Sequence, residues 1–256
     1  MVKDFQESDK LIIAMGSKHA YRSIIEPHQH SRAQLLYASE GAIRVYTKDN
    51  VWIVPPLCAL WIPAFVEHSV VSLSDVRLST ALVEEQASLT LGTQCFLVRI
   101  SNLLRELVLR LNQQEQWQKP HDHYQEEIEK SLQLLIFKEI KQAASFPIVI
   151  PWPKDPRVVA ICEELLEYPD HRKDLNTWAD QIGTSSRTLI RLFQKETGLA
   201  YRAWIQQMHI ALALGKLSRG ESIAKISQAL GYQSPSAFSA MFKKHLGEAP
   251  QKFRKE

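Results

Sequence analysis

The sequence predicts an α+β protein of more than one domain, with an N-terminal β-barrel or sandwich that carries amphipathic helices and a C-terminal all-α domain with two helix-turn-helix units. Three observations lead to this fold class. Short segments rich in Val, Ile, Tyr and Trp alternate with turn residues from Ile24 to Val83. The hydrophobic period then lengthens to that of helices. Near the C-terminus one helix-turn-helix pattern occurs twice, offset by 48 residues before the turn glycine and 49 after it.

Residues 1–90 are predicted to form the β domain. Its apolar segments have the length and composition of short strands, and Gly41, Asp49-Asn50 and Pro55-Pro56 mark turns between them. The segments are QLLYAS, AIRVYT, VWIVPP, ALWIPA, HSVVSL and RLSTALV.

Residues 91–145 are predicted to be helical, because apolar side chains recur on one helical face in each of two stretches. The two helices either cover the β domain or form a dimer interface. We favour the dimer interface, because proteins with helix-turn-helix readers are commonly dimeric. The two apolar faces are Ile100, Leu103, Leu104, Leu107 and Leu111, and Ile128, Leu132, Leu135, Ile136 and Ile140.

Residues 146–156, FPIVIPWPKDP, contain four prolines and are predicted to be an interdomain linker. Asp155 and Pro156 then open a helix that runs through Leu166, because Asp caps free amides and Pro is tolerated in a first turn. Residues 155–256 form the predicted C-terminal domain.

The charge distribution favours a polyanionic partner for that domain. Residues 171–256 contain 14 Lys and Arg against 6 Asp and Glu, whereas residues 1–153 contain 15 against 17. A basic surface that serves solubility alone is the alternative, but the excess coincides with the repeated motif, and duplex DNA is a polyanion that itself repeats.

The cysteines and the N-terminus predict a cytoplasmic protein. Cys58, Cys95 and Cys162 lie far apart in apolar contexts, and their odd number argues against a disulfide framework. The first ten residues have no apolar signal region, and no later stretch is apolar enough to span a membrane.

In the first helix-turn-helix unit, Asp174 is the expected N-cap of the supporting helix and Gly183 the sharp turn. Ser185 or Ser186 should cap the recognition helix. Leu189, Leu192 and Phe193 turn inward, so Arg187, Thr188, Ile190, Arg191 and Gln194 face outward.

The outward arginines can bind guanine O6 and N7 in the major groove, and Ile190 can touch a thymine methyl. The alternatives for each arginine are a phosphate contact or an ion pair with Glu196 or Asp180. We favour base reading for Arg191, and for Arg187 the two interpretations are equally supported.

The second unit carries weaker base-reading groups. Ser234 is expected to cap its recognition helix and Pro235 to occupy the first turn. Its contribution should therefore be affinity more than specificity, through lysines and helix-terminal amides on phosphates. A helix from about Ala200 to Ser218 should separate the two readers by about 34 Å, one turn of the duplex. The outward residues are Gln233, Ser234, Pro235, Ser236, Ser239, Ala240, Lys243 and Lys244.

The run AKISQALGYQSPSAFSAMFKKHLGEAPQKFR resembles the signature of the AraC/XylS family of transcription regulators, and the resemblance covers roughly residues 155–254. It implies a seven-helix domain that acts at promoters. The positions that match the family's base-reading residues are Arg187, Ile190 and Arg191, and Pro235, Ser236 and Ala240. The segments RAQLLYA, VPP and WIPA also resemble a subgroup that includes regulators of nitroimidazole efflux.

Histidines in the β domain have the spacing of metal ligands. His28 and His30 would point to the same side of an extended strand, with His68 and Gln34 available as further ligands. The arrangement resembles the cupin pattern H-x-H-x(3)-E-x(6)-G followed by P-x(4)-H, with Gln34 in place of Glu. The resemblance implies a cupin-like β-barrel in which neutral imidazoles would favour zinc, nickel, iron or copper. The alternative is a ligand pocket without metal.

Arg32, Trp52, Trp61 and Phe65 lie near this motif and are predicted to line an effector pocket, although tryptophans in a small barrel are often plain core.

These features predict a sequence-specific transcription regulator, repressor or activator, that responds to a small molecule or metal in the β domain. Double-stranded promoter DNA, an effector, a second copy of the chain and RNA polymerase are the expected partners, and no enzymatic activity is expected. The alternatives are a cupin metalloenzyme, a dioxygenase or isomerase, fused to a DNA-binding domain, and an architectural protein that binds DNA without regard to sequence.

Overall fold

The computed structural model describes residues 8–56, 58–114, 123–170 and 173–254. The chain divides into two compact units, one formed by residues 1–47 and 53–146 and the other by residues 48–52 and 147–256. The predicted domain limits at residues 1 and 256 lie outside the described residues. No helix in the described part of the chain is both long and apolar enough to cross a bilayer.

The chain up to residue 146 contains short antiparallel strands, and all six segments named from the sequence form strands. The structure adds strands before and after them. In chain order they are β1 (Ile12–His19), β2 (Ile24–His28), β3 (Ala33–Glu40), β4 (Ile43–Thr47), β5 (Asn50–Val54), β6 (Cys58–Ile62), β7 (His68–Ser72), β8 (Val76–Val83), β9 (Phe96–Arg99) and β10 (Ser145–Phe146).

The predicted barrel takes the form of two sheets. One sheet has the order β1-β8-β3-β6-β9-β10, and in the other β5, β4, β7 and β2 are neighbours in that order. Successive side chains of a strand point to opposite faces. Leu35, Tyr37, Trp61, Ala81 and Val83 of the first sheet accordingly belong to one buried cluster, and the residues between them face the other sheet.

Two amphipathic helices cover that cluster. They are α2 (Asn102–Gln114) and α3 (His123–Gln142), and a short helix, α1 (Glu85–Ser88), follows β8. The buried cluster includes Leu104, Leu107, Leu111, Ile136 and Ile140, so both predicted helices do pack on the β domain.

The same helices expose other residues that the sequence placed on their apolar faces. Leu103, Ile128 and Leu135 are exposed to solvent. The single apolar face predicted for each helix is thus divided between the core and the surface.

The prediction that residues 91–145 are helical is wrong at both ends. Phe96–Arg99 forms β9 against β6, and Ser145–Phe146 forms β10 against β9. Both strands are too short for period-two alternation to appear in the sequence. Residues 115–122 of this segment lie outside the described residues.

The proline-rich segment 146–156 is not an open linker. Ile148 and Ile150 are buried, and β11 (Ile150–Pro151) pairs with Asn50 and Val51. Apolar residues alternate with the prolines here, and the prolines lie where no ladder hydrogen bond from their nitrogen is needed.

The second unit contains, in its described residues, six α-helices and a short 3-10 helix at Pro250–Phe253, where the family resemblance implied seven helices. Asp155 caps the first of these helices, as predicted, and accepts a hydrogen bond from the amide of Arg157. The helices are α4 (Pro156–Glu167), α5 (Leu175–Gln181), α6 (Ser186–Thr197), α7 (Tyr201–Ser218), α8 (Ile223–Ala229) and α9 (Pro235–Leu246).

The three cysteines are free, and Cys58 and Cys162 are buried. Burial raises the pKa of both thiols, which leaves them protonated and unreactive. These two cysteines are therefore core residues.

Candidate functional site

The first helix-turn-helix unit is formed by α5 and α6. Asp174 accepts a hydrogen bond from the amide of Thr177 at 2.8 Å and caps α5. Ser185, rather than Ser186, caps α6 by accepting from the amide of Thr188 at 3.2 Å. Both caps satisfy amides that the first turn of a helix leaves free, and they define where the recognition helix begins.

The inner face of α6 is held by aromatic side chains. The ring of Phe193 meets Tyr201 and Trp204 of α7 edge-on, with centroids 5.4 Å and 6.0 Å apart. Trp178 of α5 donates from Nε1 to the hydroxyl of Tyr201 at 2.7 Å. These contacts join α5, α6 and α7 into one rigid frame, since buried aromatic pairs pack tightly and add directional stabilisation.

The outer face of α6 is open to solvent. Arg187, Arg191 and Gln194 are exposed, and Ile190 is 46% exposed although it is a large apolar residue. Within the described part of the chain, neither arginine has a hydrogen-bond or ion-pair partner. Both guanidinium groups are therefore available to an external partner.

The ion pair considered between these arginines and Glu196 is not formed. The carboxylate of Glu196 instead accepts hydrogen bonds from the amides of Lys154 and Asp155, at 3.0 Å and 2.9 Å. These two bonds lower the pKa of Glu196. Glu196 thus ties the proline-rich segment to the end of α6.

The second unit, α8 and α9, repeats this construction. Ser234 caps α9 by accepting from the amide of Ala237 at 3.2 Å, and Pro235 occupies the first turn, as predicted. Phe238 and Phe242 are fully buried on the inner face. The outer face carries Gln233, Pro235, Ser236, Ala240, Lys243 and Lys244, all exposed.

A cavity of about 240 Å³ lies inside the β domain. It is lined from β1, β8 and β3 of one sheet and from β2 and β7 of the other. Of the four predicted effector-pocket residues, Arg32 lines it. Met15, Ser17 and His19 also line it, and the sequence did not indicate them because β1 was not recognised as a strand.

The other three predicted pocket residues lie elsewhere. Trp61 points to the opposite face of its sheet, where its ring packs near Phe96 and its Nε1 reaches the carbonyl of Gly92 at 3.4 Å. Trp52 is buried on β5, outside the strands that line the cavity. Phe65 is exposed in the turn before β7. Proximity in sequence to the histidines did not predict which sheet face each side chain occupies.

The structure brings together the three histidines that the sequence singled out. One ring nitrogen from each of His28, His30 and His68 lies within 4.8 Å of the others. His30 lies beyond the end of β2, so the expectation that it shares an extended strand with His28 is wrong. The loop that follows β2 nevertheless places the ring centroid of His30 5.3 Å from that of His68.

Backbone carbonyl groups orient the three rings. His28 Nδ1 lies 2.8 Å from the carbonyl oxygen of Glu26, and His68 Nδ1 lies 2.9 Å from that of Val66. His30 Nδ1 likewise meets the carbonyl oxygen of Arg32. A carbonyl only accepts, so each Nδ1 carries a proton and Nε2 is the ring nitrogen left to meet other partners. Carbonyl groups orient metal-binding histidines in this way.

His68 is the most buried of the three, and its Nε2 has no hydrogen-bond partner among the described residues. Burial lowers the pKa of His68 to about 4, so its Nε2 keeps a free lone pair at neutral pH. Gln34 completes the cluster, with Oε1 lying 3.0 Å from His30 Nε2. An amide oxygen only accepts, so this contact is a hydrogen bond when His30 Nε2 donates, and Gln34 must turn its oxygen away before His30 Nε2 can offer a lone pair to an ion.

Comparison with known proteins identifies both units. Residues 12–136 match the model of an AraC-like ligand binding domain, and residues 178–256 match that of a helix-turn-helix domain. The HTH-type transcriptional regulator NimR of Escherichia coli is 35% identical over 226 residues, which cover 88% of this chain and 81% of that protein. The HTH-type transcriptional regulator RipA of Corynebacterium diphtheriae is 32% identical over 107 residues, 42% of this chain and 31% of its own. Among solved structures, ToxT of Vibrio cholerae O395 is 15% identical with a TM-score of 0.39, covering 95% of this chain and 96% of its own.

Proposed function

The chain belongs to the AraC family of transcription regulators, and we propose that it recognises promoter DNA by placing α6 and α9 in successive major grooves. It is a transcription regulator with a ligand-binding domain and a helix-turn-helix DNA-binding domain. The observation that carries the proposal is the unpartnered outer face of α6, where Arg187 and Arg191 project one turn apart. On a frame held by buried aromatic residues, these side chains can meet base edges in a fixed register.

Within this proposal Arg191 reads a base and Lys243 binds phosphate. Arg191 lies in the second turn of α6, where a forked guanidinium can bind O6 and N7 of one guanine. Lys243, near the end of α9, offers a single charge that suits a phosphate oxygen. The first unit then supplies most of the sequence specificity, and the second adds affinity.

The test compares two charge removals in the full-length chain. An operator selected from random duplexes is altered one base pair at a time, and binding of Arg191→Ala and Lys243→Ala is measured at several salt concentrations. Arg191→Ala should lose about tenfold or more on the selected operator and become indifferent to one base pair. Lys243→Ala should weaken all sequences alike and reduce the salt slope by about one.

Two outcomes would contradict this assignment. An Arg191→Ala variant that weakened every sequence equally would make Arg191 a phosphate contact. A wild-type chain that bound selected and competitor DNA alike would support the architectural alternative.

We further propose that the cavity of the β domain binds the effector. The cavity lies inside the domain that matches the ligand-binding model and is smaller than the pockets of drug-sized ligands. An effector changes DNA binding only if it binds the DNA-competent and DNA-free states with different affinity. Tighter binding of the effector to the DNA-competent state would increase operator occupancy, and tighter binding to the DNA-free state would decrease it.

We propose that the Nε2 atoms of His28, His30 and His68 bind a divalent transition metal. Their spacing, their carbonyl-held tautomers and the unpartnered Nε2 of His68 all fit such an ion. Neutral imidazoles favour zinc, nickel, iron or copper. When bound, the metal would supply an open coordination position to a ligand in the cavity.

Metal analysis of the purified chain tests this site. We expect about one metal per chain, loss of that metal in His30→Ala, and retention in His19→Ala. His19 is the matched control because it lines the same cavity but is hydrogen-bonded to Ser17 at 2.8 Å, outside the cluster. Equal metal content in the two variants, or none in the wild type after incubation with each ion, would reject the site.

We propose no catalytic role for this centre. Gln34 stands where the cupin pattern has Glu, and a neutral amide cannot take a proton in a reaction. The relatives that match the chain are transcription regulators. Substrate turnover or oxygen consumption by the metal-loaded chain would favour the enzyme alternative instead.

We propose that the regulator acts in the cytoplasm as a homodimer, with RNA polymerase as a further partner at the promoter. Exposed Tyr124, Ile128 and Leu135 recur on one face of α3, and such a face suits a second copy of the same helix. Leu135→Glu should therefore shift the chain from dimer to monomer in light scattering. A wild-type chain that is monomeric at micromolar concentration would reject this interface.

A further inference from the structure

We infer that the effector is a small organic anion with a hydrocarbon body, whose carboxylate-like head lies at the Arg32 and histidine end of the cavity. This inference rests on the proposed role of the cavity as the effector site. It depends on the charge of the lining residues, on an unpartnered buried donor, and on the distribution of polar and apolar walls.

The cavity contains a permanent positive charge and no negative one. Arg32 lines it and is 5% exposed. None of the described residues that line the cavity is acidic. Glu84 is the carboxylate that interacts with Arg32 through space, but it is not among the residues that line the cavity. A guanidinium remains charged at any physiological pH, so the cavity favours anions.

Arg32 also has a donor left over. Its Nη1 donates to the carbonyl oxygen of Lys10 at 2.9 Å, and its Nη2 donates to that of Ser8. Its Nε is buried without a partner among the described residues. A buried donor without a partner costs free energy, and an anionic acceptor in the cavity would remove that cost with a charge-assisted bond.

The histidine cluster strengthens the same preference. The three imidazoles and the Gln34 amide are neutral ligands, so a divalent metal bound there would bring two uncompensated positive charges into the cavity. An anionic co-ligand would balance that charge. The preference for an anion therefore holds whether or not the cluster is metallated, because Arg32 is present in both states.

The rest of the cavity is hydrocarbon. Its apolar walls include Ile25, Leu36, Val70, Leu78 and Leu82. An engineered apolar cavity of about 150 Å³ binds benzene, so this cavity of about 240 Å³ suits a one-ring or short-chain body. A sugar or other polyhydroxylated ligand is disfavoured, because these walls cannot satisfy several hydroxyl groups.

The experiment compares acids with isosteric neutral amides. Binding of phenylacetate and phenylacetamide, and of hexanoate and hexanamide, to the full-length chain is measured by calorimetry at pH 7.5. We expect at least one acid to bind about tenfold or more tightly than its amide. In the chain stripped of metal by a chelator, the preference should disappear in Arg32→Gln and persist in Arg32→Lys, which keeps the charge. His19→Gln, at a polar position of the cavity outside the histidine cluster, should retain it.

Two controls keep the inference open to refutation. Arg32 supports residues 8–10, so Arg32→Gln is first checked for a wild-type far-ultraviolet spectrum. If it does not fold, Val70→Phe replaces it, because the added ring should fill the cavity and abolish binding of the acid. Equal affinity for acid and amide, absence of binding by either acid, or unchanged acid binding in Val70→Phe would each overturn the inference.

Operator binding by the ligand-free chain is measured in parallel. A chain that binds its operator but shows no acid preference overturns the anionic effector alone. A chain that binds acids but no operator overturns the proposed recognition of DNA. The two failures are therefore distinguishable.

Discussion

Two glycines with similar backbone angles should respond very differently to substitution. Gly183 turns the first helix-turn-helix unit at φ +67°, and Gly41 turns the strands of the β domain at φ +79°. Both lie in the left-handed region, which L-residues other than Asn and Asp rarely adopt. The comparison separates backbone strain from steric overlap in one protein.

The structure sets the expected magnitudes. A Cβ added at Gly183 meets no atom within 4 Å, so Gly183→Ala should cost only the left-handed strain, about 1 kcal/mol. A Cβ added at Gly41 would lie 2.3 Å from the carbonyl oxygen of Asp75 and 2.7 Å from Val76 Cγ2. Overlap with backbone cannot be relieved by a rotamer change, so Gly41→Ala should cost about 3 kcal/mol or more.

Asparagine provides the matched control at each position. Asn adopts the left-handed conformation more readily than Ala, so Gly183→Asn should recover most of the stability that Gly183→Ala loses. Gly41→Asn should recover little, because the overlap with Asp75 remains.

Urea unfolding of the full chain, followed by circular dichroism, measures the total loss. Hydrogen exchange of peptides from each unit assigns that loss, because the two units can open separately. Gly183 variants should lose protection in peptides from residues 147–256. Gly41 variants should lose protection in peptides from residues 1–47 and 53–146. Equal losses for the two alanine variants, or equal rescue by Asn, would refute the steric reasoning.

Three further predictions concern the C-terminal compact unit, residues 147–256. Ser185→Ala should lower its free energy of unfolding by about 1 kcal/mol and weaken operator binding, because α6 loses its cap; an unchanged operator affinity would argue against that coupling. Tyr201→Phe should cost about 1–3 kcal/mol in urea unfolding, because Trp178 Nε1 keeps its proton but loses its buried acceptor; a loss below about 0.5 kcal/mol would contradict this. The pKa of Glu196 is lowered in the folded chain, so its contribution is present above the unfolded pKa and lost as pH falls through the folded pKa. Glu196→Gln should flatten that part of the acid unfolding curve, and a curve identical to wild type would exclude the assignment.

The sequence predicted most successfully the features that depend on a few neighbouring residues. The caps at Asp155, Asp174 and Ser234 lie where they were expected. The start of α7 was also predicted to within one residue. Each of the three caps depends on a side chain meeting an amide two or three residues away, so local spacing contains enough information.

The strands at the ends of the β domain were harder to predict for a physical reason. β1 contains Gly16 and Lys18, and β9 has four residues, so neither shows strong alternation. Both are stabilised by pairing with strands distant in sequence, β1 with β8 and β9 with β6. Tertiary pairing overrode weak local propensity.

The residues of the cavity were predicted only in part. His28, His30 and His68 were grouped correctly, although the assumed strand geometry of His30 was wrong. Trp61 was placed in the pocket wrongly, because the sequence does not reveal which sheet face its strand turns toward the cavity. A one-residue change of register exchanges the two faces of a strand.

The two recognition helices, α6 and α9, bury similar inward side chains but expose different outward side chains. Phe193 and Phe242 occupy equivalent inward positions and are both fully buried, and packing restricts what can replace them. The outward positions carry no such restriction, and they hold Arg191 in one unit and Ala240 in the other.

Helix α7, with 18 residues, is about 27 Å long, which is close to one turn of duplex DNA. Because α7 joins the two helix-turn-helix units, both recognition helices can bind one DNA molecule. The first would be more selective for base sequence than the second. The operator should then contain one strongly specified segment and, about one helical turn away, a segment where contacts to phosphate count for more than base identity.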